Sequence, residues 1–337
     1  MNLDDLARLL AVPDLRAWLG EVEAGLAEAV GIDNGMLVEP GLRVLQGGGK
    51  RLRPVLARAA ASLGDPGRWA DDVVRGAVSV ELVHVGSLVH DDIMDHATQR
   101  RGVPTVNATE GLNTAVLVGD FLLARAGVEA AQISKEVAQV LAQAISDLCD
   151  GQTRELRDVG NLDRTADDLL RAVRGKTAAL LRSSCHIGAL SARAPDDAVK
   201  ALVTFGDAFG MAFQIVDDVL DLVSTPDLMG KPVGNDVREG VYTLPVIFAL
   251  QGPNGAALRA ELAGAAGDAA RLDGVMDAVR SDGNVDRALD IAREFNEAAT
   301  AALADLPDTP TVEGLRRLPG DYLDWAISAK AAPAPSR

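Results

Sequence analysis

The chain has few aromatic residues and few cysteines. Phe, Trp and Tyr together make up 3% of its 337 residues, although hydrophobic residues make up 48%. So large an apolar fraction with so few rings favours packed helices over a β-sandwich. The two cysteines, Cys149 and Cys185, are too few for a disulfide framework. We expect both to be buried thiols in a reducing compartment.

The chain also lacks positive charge. Its formal net charge is −16, which argues against a nucleic-acid partner and against binding to an anionic membrane surface. No run of about 18 uncharged apolar residues suggests a membrane span, and the N-terminus has no basic region of the signal-peptide type. We therefore expect a cytoplasmic protein without stable membrane insertion.

Helical periodicity is present along almost the whole chain, and alternating strand patterns are nearly absent. Turn signals rich in Gly, Pro and Asp separate helix-length segments, among them 69–96, 164–193 and 196–223. No shift in composition marks a domain boundary. The sequence predicts an all-α protein with one domain over residues 1–330 and a disordered tail over 331–337, which is rich in Ala and Pro.

One acidic pentapeptide occurs twice, as Asp91-Asp92-Ile93-Met94-Asp95 and as Asp217-Asp218-Val219-Leu220-Asp221. Residues four apart lie on one face of a helix, so each copy groups its carboxylates beside a strongly apolar segment. Grouped anions repel one another and are costly to desolvate. Mg²⁺ relieves both costs because it binds carboxylate, water and phosphate oxygens together. Two such clusters facing each other would hold a diphosphate through bridging metal ions.

Two basic elements accompany the acidic clusters. Gly47-Gly48-Gly49-Lys50-Arg51-Leu52-Arg53 combines backbone freedom with cations, and Arg100-Arg101 follows the first cluster. Guanidinium groups bind phosphate oxygens in pairs. A glycine-rich turn with solvated cations is the simpler alternative for the first element. The Gly-rich and charged stretch 228–240 fits either a lid over substrate or an ordinary connection.

These residues resemble those of the trans-isoprenyl diphosphate synthases, also called polyprenyl synthetases, over about residues 40–330. The matching strings are Gly-Gly-Lys50-Arg-Leu-Arg53-Pro, Glu81-Leu-Val-His84, His90-Asp91-Asp92-Ile-Met-Asp95, Arg100-Arg101-Gly, Gly119-Asp120-Phe-Leu, Gly175-Lys176-Thr177, Phe213-Gln214-Ile-Val-Asp217-Asp218-Val-Leu-Asp221 and Gly230-Lys231-Pro-Val-Gly-Asn-Asp236. The resemblance implies a helical bundle of the isoprenoid synthase type around a deep apolar cavity, usually as a homodimer. It also implies head-to-tail condensation of isopentenyl diphosphate with an allylic diphosphate.

The resemblance further implies a role for each matching residue. Three Mg²⁺ ions on the allylic diphosphate would be bound by Asp91, Asp95 and Asp217, with Asp92, Asp218 and Asp221 binding directly or in support. The same diphosphate would contact Arg100, Lys176 and Lys231. Isopentenyl diphosphate would be held by Lys50, Arg53, His84 and Arg101, and Thr177 and Gln214 would line the reacting centre.

In this family the product grows along the helix that ends in the first acidic cluster. The residues four and five positions before Asp91 are Ser87 and Gly86, with Val83 one turn further back. Because short-chain synthases commonly place bulky aromatic residues there, these side chains predict a product of twenty carbons or more. The alternative is that the small residues only permit close helix packing and that the product is the shorter farnesyl diphosphate.

Two other functions fit parts of the sequence. A class I terpene cyclase also uses an Asp-rich metal helix, but it needs no basic site for isopentenyl diphosphate. A non-catalytic regulatory subunit typically loses one acidic cluster, whereas both clusters are intact here. The sequence therefore favours the synthase.

Overall fold

The computed structural model describes residues 2–12, 14–31, 35–223, 234–264 and 269–331. Within these ranges the chain is almost entirely helical, as predicted. The helices are α1 Leu3–Leu9, α2 Leu15–Gly31, α3 Val38–Gln46, α4 Leu52–Ala61, α5 Ala70–Met94, α6 Val106–Thr109, α7 Leu112–Ile133, α8 Lys135–Arg157, α9 Ala166–Val173, α10 Ala179–Ser191, α11 Asp196–Val223, α12 Asn235–Arg238, α13 Leu244–Gln251, α14 Gly255–Gly264, α15 Ala269–Arg280, α16 Asn284–Ala302 and α17 Pro310–Ala331. A π-helical turn, Arg174–Ala178, joins α9 to α10.

The chain forms two compact units. Unit 1 comprises Met1–Ser146, Leu180–Gly206 and Asp305–Leu315, and unit 2 comprises Asp147–Ala179, Asp207–Ala304 and Arg316–Arg337. The first acidic cluster belongs to unit 1 and the second belongs to unit 2. The expected tail starts at Ala331, the last residue of α17, and residues 332–337 lie outside the described ranges.

The centre of unit 1 is α5, which packs along α7 and also contacts α2 and α4. Apolar residues occupy most of its circumference, and a helix of this composition is buried on every side. A short antiparallel hairpin follows, in which β1 (Gln99–Arg100) pairs with β2 (Val103–Pro104). Its turn residues, Arg101 and Gly102, both have positive φ angles, 53° and 76°, as a two-residue hairpin turn requires. The hairpin thus projects the two adjacent arginines of the sequence from one tight turn.

Unit 2 has its own core, which joins the end of α11 to α13, α14 and α15 through residues such as Leu222, Val246 and Met276. A second cluster contains four of the chain's few aromatic residues. The ring of Phe213 stacks on Tyr322 at 5.0 Å, and Phe209 and Trp325 contact Tyr322 at 6.3 Å and 5.7 Å. The second acidic cluster therefore lies at the end of a firmly packed helix.

Two helices, α5 and α11, are long and apolar enough to cross a bilayer by length and composition. In each, most of the apolar window is buried in the protein, 67% in α5 and 61% in α11. Such burial is typical of the core helices of a folded domain.

The expectation for the cysteines is half correct. Cys185 is buried, and burial raises the pKa of its thiol to about 12. Cys149 is exposed on α8, so the expectation that both thiols are buried is wrong. The reason is that α8 is amphipathic, and residue 149 lies on its solvent face.

Candidate active site

Unit 1 contains a cleft between the end of α3, the start of α4, α5 and the hairpin. Its charged lining includes Arg43, Arg51, Glu81, Asp92, Arg100 and Arg101, together with His84. The cleft therefore brings one carboxylate of the first acidic cluster together with four arginines. Such a mixture suits a diphosphate, which needs cationic partners close to any carboxylate-bound metal.

The glycine triplet supports Arg101. The Arg101 guanidinium donates a hydrogen bond to the Gly48 carbonyl, and a Cβ atom on Gly49 would lie 2.8 Å from Arg101 Nη1. Gly48 and Gly49 also have φ angles of 77° and 157°, a region that favours glycine. The Gly-rich element is thus the surface on which the hairpin arginine rests.

Arg53 and His84 share this positive surrounding. Burial lowers the pKa of Arg53 to about 10, with Glu81 opposing and Arg101 reinforcing the shift. Burial also lowers the pKa of His84 well below its usual 6.5, and nearby arginines, Arg53 first, reinforce the effect. His84 is therefore neutral at physiological pH and can donate or accept a hydrogen bond. Lys50, also predicted for this site, is exposed.

Arg51 differs from its neighbours, and the sequence did not indicate this. It is 7% exposed and has a left-handed backbone with φ of 48°. Its guanidinium donates to Glu23 at 2.6 Å and 3.0 Å, to Glu81 at 2.8 Å and to the Leu45 carbonyl at 2.8 Å. Four acceptors fix this side chain, so Arg51 has a structural role within the basic run. A sequence signal for this role of Arg51 was its partner Glu81, an acidic residue in the matching string Glu81-Leu-Val-His84.

The first acidic cluster forms the end of α5. Asp95 is exposed, Asp91 is half-buried and Asp92 is 5% exposed. Arg100 Nε donates to Asp92 Oδ1 at 2.7 Å. Burial nevertheless raises the pKa of Asp92, against the lowering effect of Arg100. Asp92 thus holds Arg100 in place, and its role at the metal site stays a prediction.

His90, which precedes the first acidic cluster on α5, holds the end of this helix against α7. Its Nε2 lies 3.2 Å from the Val116 carbonyl, and a Cβ atom on Gly119 would lie 2.1 Å from that nitrogen. The glycine in the string Gly119-Asp120 therefore leaves room for the imidazole ring beside the acidic cluster.

The second acidic cluster is the end of α11. A relay precedes it, in which Thr177 Oγ1 donates to Gln214 Oε1 at 2.8 Å and Gln214 Nε2 donates to Asp218 Oδ1 at 2.7 Å. Burial, with the charge of Asp236 next in importance, raises the pKa of Asp218 well above its usual value. Asp217 is half-buried. One hydrogen-bonded chain thus joins Thr177 and Gln214, which were predicted to line the reacting centre, to Asp218, which was predicted to bind metal directly or in support.

The third acid of this cluster, Asp221, ties the following loop to α11. It is 2% exposed, and its Oδ2 accepts from the Asp236 amide at 3.1 Å while its carbonyl accepts from the Gly234 amide at 2.7 Å. Lys231 and the rest of residues 228–233 of the predicted lid lie outside the described residues.

Lys176 lies in the π-helical turn and forms an ion pair with Glu155. The turn follows from close packing of α8, since a Cβ atom on Gly151 would lie 2.3 Å from the Lys176 amide nitrogen. Glu155 was not predicted as a site residue, although the string Gly151-Gln152-Thr153-Arg154-Glu155 lies where the family often has a related element. A diphosphate that binds Lys176 must compete with this carboxylate.

The donor set fits Mg²⁺. In each cluster the second aspartate, Asp92 or Asp218, is buried and already bonded within the protein, and the half-buried Asp91 or Asp217 precedes it. Among the described residues, no three His, Cys, Asp or Glu side chains come together as a ready metal site. Any bound ion must then complete its coordination with water or substrate oxygens, as Mg²⁺ does.

The three residues predicted to set product length lie on α5. Val83 is fully buried and Ser87 is half-buried, with its hydroxyl donating to the His84 carbonyl at 2.8 Å. Gly86 faces α7, because a Cβ atom there would lie 3.2 Å from the Gly119 carbonyl and 3.3 Å from Leu122. Close packing accounts for Gly86 without any contact with a product.

Comparisons with known proteins identify relatives of this chain in both sequence and structure. A model of the polyprenyl synthetase family matches residues 34–279. The chain is 39% identical to heptaprenyl diphosphate synthase component 2 of Geobacillus stearothermophilus, covering 86% of this chain and 90% of that one. It is 35% identical to nonaprenyl diphosphate synthase of Mycobacterium tuberculosis, covering 96% of each. A polyprenyl synthase of Caulobacter crescentus, crystallised with calcium and isoprenyl diphosphate, superposes with a TM-score of 0.85 at 31% identity, covering 97% of this chain and 98% of that one.

Proposed function

Because this chain belongs to the polyprenyl synthetase family and is a prenyltransferase that makes trans-polyprenyl diphosphates of twenty or more carbons, we propose a role for each group of site residues. The acidic clusters bind the metal ions of the allylic diphosphate, and the arginine cleft binds isopentenyl diphosphate. The observation that carries this division is that Asp92 and Arg101 line one cleft. An acidic cluster and a basic anion site are thus adjacent within unit 1.

Three Mg²⁺ ions bound by Asp91, Asp95 and Asp217 would supply the positive charge that stabilises the departing diphosphate. Arg100, Lys176 and Lys231 contact the same leaving group. Arg100 is already aimed by Asp92, and Lys176 exchanges Glu155 for the diphosphate. Lys50, Arg53, His84 and Arg101 hold the second substrate.

The carbon chemistry follows from these positions. Loss of diphosphate leaves an allylic cation, which the double bond of isopentenyl diphosphate attacks. The new carbon–carbon bond forms, one proton is lost, and the released diphosphate accepts it. Thr177 and Gln214, ordered by Asp218, line this centre, and apolar walls keep water from capturing the cation.

We propose that the protein acts in the cytoplasm as a homodimer. Four large apolar side chains on α7 are exposed: Leu112, Val116, Leu117 and Val128. Leu112 and Val116 are one helical turn apart on the same face, and a second copy would cover this face. The relative named component 2 supplies the alternative that a different subunit covers this face. The molar mass in solution, measured by light scattering, distinguishes a dimer from a monomer that lacks its partner.

The product is geranylgeranyl diphosphate or longer, which agrees with the absence of an aromatic residue at positions 83, 86 and 87. The test is incubation of purified protein with Mg²⁺, isopentenyl diphosphate and, separately, dimethylallyl, geranyl and farnesyl diphosphate, with products sized by mass spectrometry. Elongated diphosphates support the proposal. Cyclised hydrocarbons, or no consumption of any primer by the dimer, contradict it.

Ser87→Phe tests the product wall more cleanly than a change at Gly86. Ser87 is half-buried, whereas a ring at Gly86 would first collide with α7. The variant should give shorter products. An unchanged product length in a folded variant would show that this face of α5 does not meet the growing chain.

A further inference from the structure

We propose that Glu81 is a positioning residue of the cleft, a single buried carboxylate that serves as common counter-ion to Arg51, Arg53 and Arg101. The inference rests on the proposed function, since it concerns how the isopentenyl diphosphate site is held ready. Glu81 would act through the arginines and would not touch the substrate.

Glu81 is placed at the centre of the basic groups. It is 3% exposed on α5 and lines the cleft with Arg51 and Arg101. One oxygen, Oε1, accepts from Arg51 Nη1 at 2.8 Å. The residue is therefore fixed by the helix on one side and by the best-anchored arginine on the other.

Two other buried polar atoms at this point are Glu81 Oε2 and Arg53 Nε. Among the described residues, neither Glu81 Oε2 nor Arg53 Nε has a hydrogen-bond partner, and both are sealed from solvent. A buried charge without a bonded partner is costly unless an opposite charge is near. The charge of Glu81 supplies this compensation, because it raises the pKa of Arg53 against the effect of burial.

The influence of Glu81 extends to the hairpin. Burial, followed by the charge of Arg100, lowers the pKa of Arg101, and Glu81 is the carboxylate that opposes them. In Arg51, by contrast, burial is outweighed first by Glu23 and then by Glu81. The charge of Glu81 thus acts on three arginines, whereas Glu23 acts on Arg51.

The physical consequence concerns the empty cleft. Arg53 and Arg101 repel each other before any anion arrives, and without a counter-ion they would turn away from the substrate position. A preorganised site avoids the free-energy cost of gathering them at the moment of binding. A carboxylate in an anion site would otherwise only weaken binding, so the direction of the effect is diagnostic.

The experiment is titration of Glu81→Gln with isopentenyl diphosphate by calorimetry in metal-free buffer with EDTA. Glutamine keeps the shape and an acceptor for Arg51 but removes the charge. We expect Kd to rise about tenfold or more, the size of effect seen when one partner of a buried ion pair is removed. With Mg²⁺ present, KM for isopentenyl diphosphate should rise equally, while KM for the allylic primer and kcat stay within about threefold.

Two controls separate positioning from folding. Glu23→Gln removes a carboxylate from the same Arg51, so its Kd should stay within about threefold of wild type. Glu81→Asp keeps the charge and should recover part of the affinity. In an Arg53→Gln background, Glu81→Gln should add less than about threefold, because coupled residues are non-additive.

Unchanged or tighter binding by Glu81→Gln would overturn the proposal, and so would equal losses in Glu23→Gln and Glu81→Gln. If Glu81→Gln does not fold, Glu81→Asp and the Arg53→Gln cycle with it carry the same test. A protein that binds isopentenyl diphosphate in this pattern but elongates no primer would contradict the proposed function and leave the role of Glu81 intact.

Discussion

The same Asp-Asp-x-x-Asp motif ends two helices, yet its second aspartate has a different partner in each. Asp92 accepts from the guanidinium of Arg100 at 2.7 Å, whereas Asp218 accepts from the neutral amide of Gln214 at 2.7 Å. Both are almost fully buried, at 5% and 7% exposure. Burial raises the pKa of both, but only for Asp218 does the shift go well above the ordinary value.

The difference shows that the buried aspartate of one motif can be stabilised by either a charged or a neutral hydrogen-bond donor. In the first cluster, the cation Arg100 opposes the rise that burial causes in the pKa of Asp92, and Asp92 in turn orients this arginine. In the second cluster, burial and the charge of Asp236 raise the pKa of Asp218, and the hydrogen bond from Gln214 opposes this rise. Partners outside the motif make this distinction, and the pentapeptide contains no trace of it.

The largest expected effect is a loss of kcat that is similar for the two acidic clusters. Asp91→Ala and Asp217→Ala should each lower kcat by about a thousandfold or more, because each removes a proposed metal ligand that acts on the leaving group. Steady-state kinetics at saturating substrates, with Mg²⁺ varied, measure the loss. Asp71→Ala and Asp196→Ala, exposed residues at the other ends of the same helices, are matched controls. A folded Asp91→Ala or Asp217→Ala enzyme with near-normal turnover would rule out this ligand assignment.

The next effect concerns how each acidic helix is seated. A Cβ atom on Gly210 would lie 2.6 Å from the Ala178 Cα, which is backbone, whereas one on Gly119 meets the movable ring of His90. We expect Gly210→Ala to cost about 3 kcal/mol of unfolding free energy and Gly119→Ala about 1 kcal/mol. Urea denaturation measures both.

Gly127→Ala on α7 is the control, since a Cβ atom there meets nothing within 4 Å, and it should stabilise the helix slightly. A larger cost at Gly119 than at Gly210 would show that His90 is held more rigidly than its contacts suggest.

A third prediction separates the two partners directly. In a double-mutant cycle, Asp92→Asn and Arg100→Gln should be coupled by about 2 kcal/mol in kcat/KM for the allylic substrate. The corresponding pair, Asp218→Asn and Gln214→Ala, should show a weaker coupling of about 1 kcal/mol. Additive losses for the first pair would mean that Asp92 does not aim Arg100.

The smallest effect is a pH dependence that arises at His84 in unit 1. Folding holds the pKa of His84 well below 6.5, so below pH 6.5 the unfolded chain takes up a proton that the folded protein does not. Stability is then lost as pH falls from 6.5, by at most about 1.4 kcal/mol per pH unit for one site. His84→Gln should flatten this part of the curve, measured by thermal melts between pH 5 and 8. An equally steep curve in the variant would contradict a neutral, buried His84.

Much of the molecule follows from local sequence pattern. The predicted helix over 69–96 is α5 at Ala70–Met94, and that over 196–223 matches α11. The predicted helix over 164–193 is instead α9, a π-helical turn and α10. Periodicity could not show this insertion, because it results from the close approach of Gly151 to the Lys176 backbone.

The sequence by itself determined the fold class, the acidic clusters and the basic elements, because helical periodicity and clustered charge are local properties. Only the tertiary structure decided which charges meet. It placed Arg51 in a buried ion pair with Glu81 and left Lys50 exposed. It also paired Asp92 with Arg100 and Lys176 with Glu155, and it placed Gly86 against α7. The physical reason is that an ion pair depends on the burial of its two residues and on the distance between them. When the residues are far apart in the chain, neither quantity can be read from the adjacent sequence.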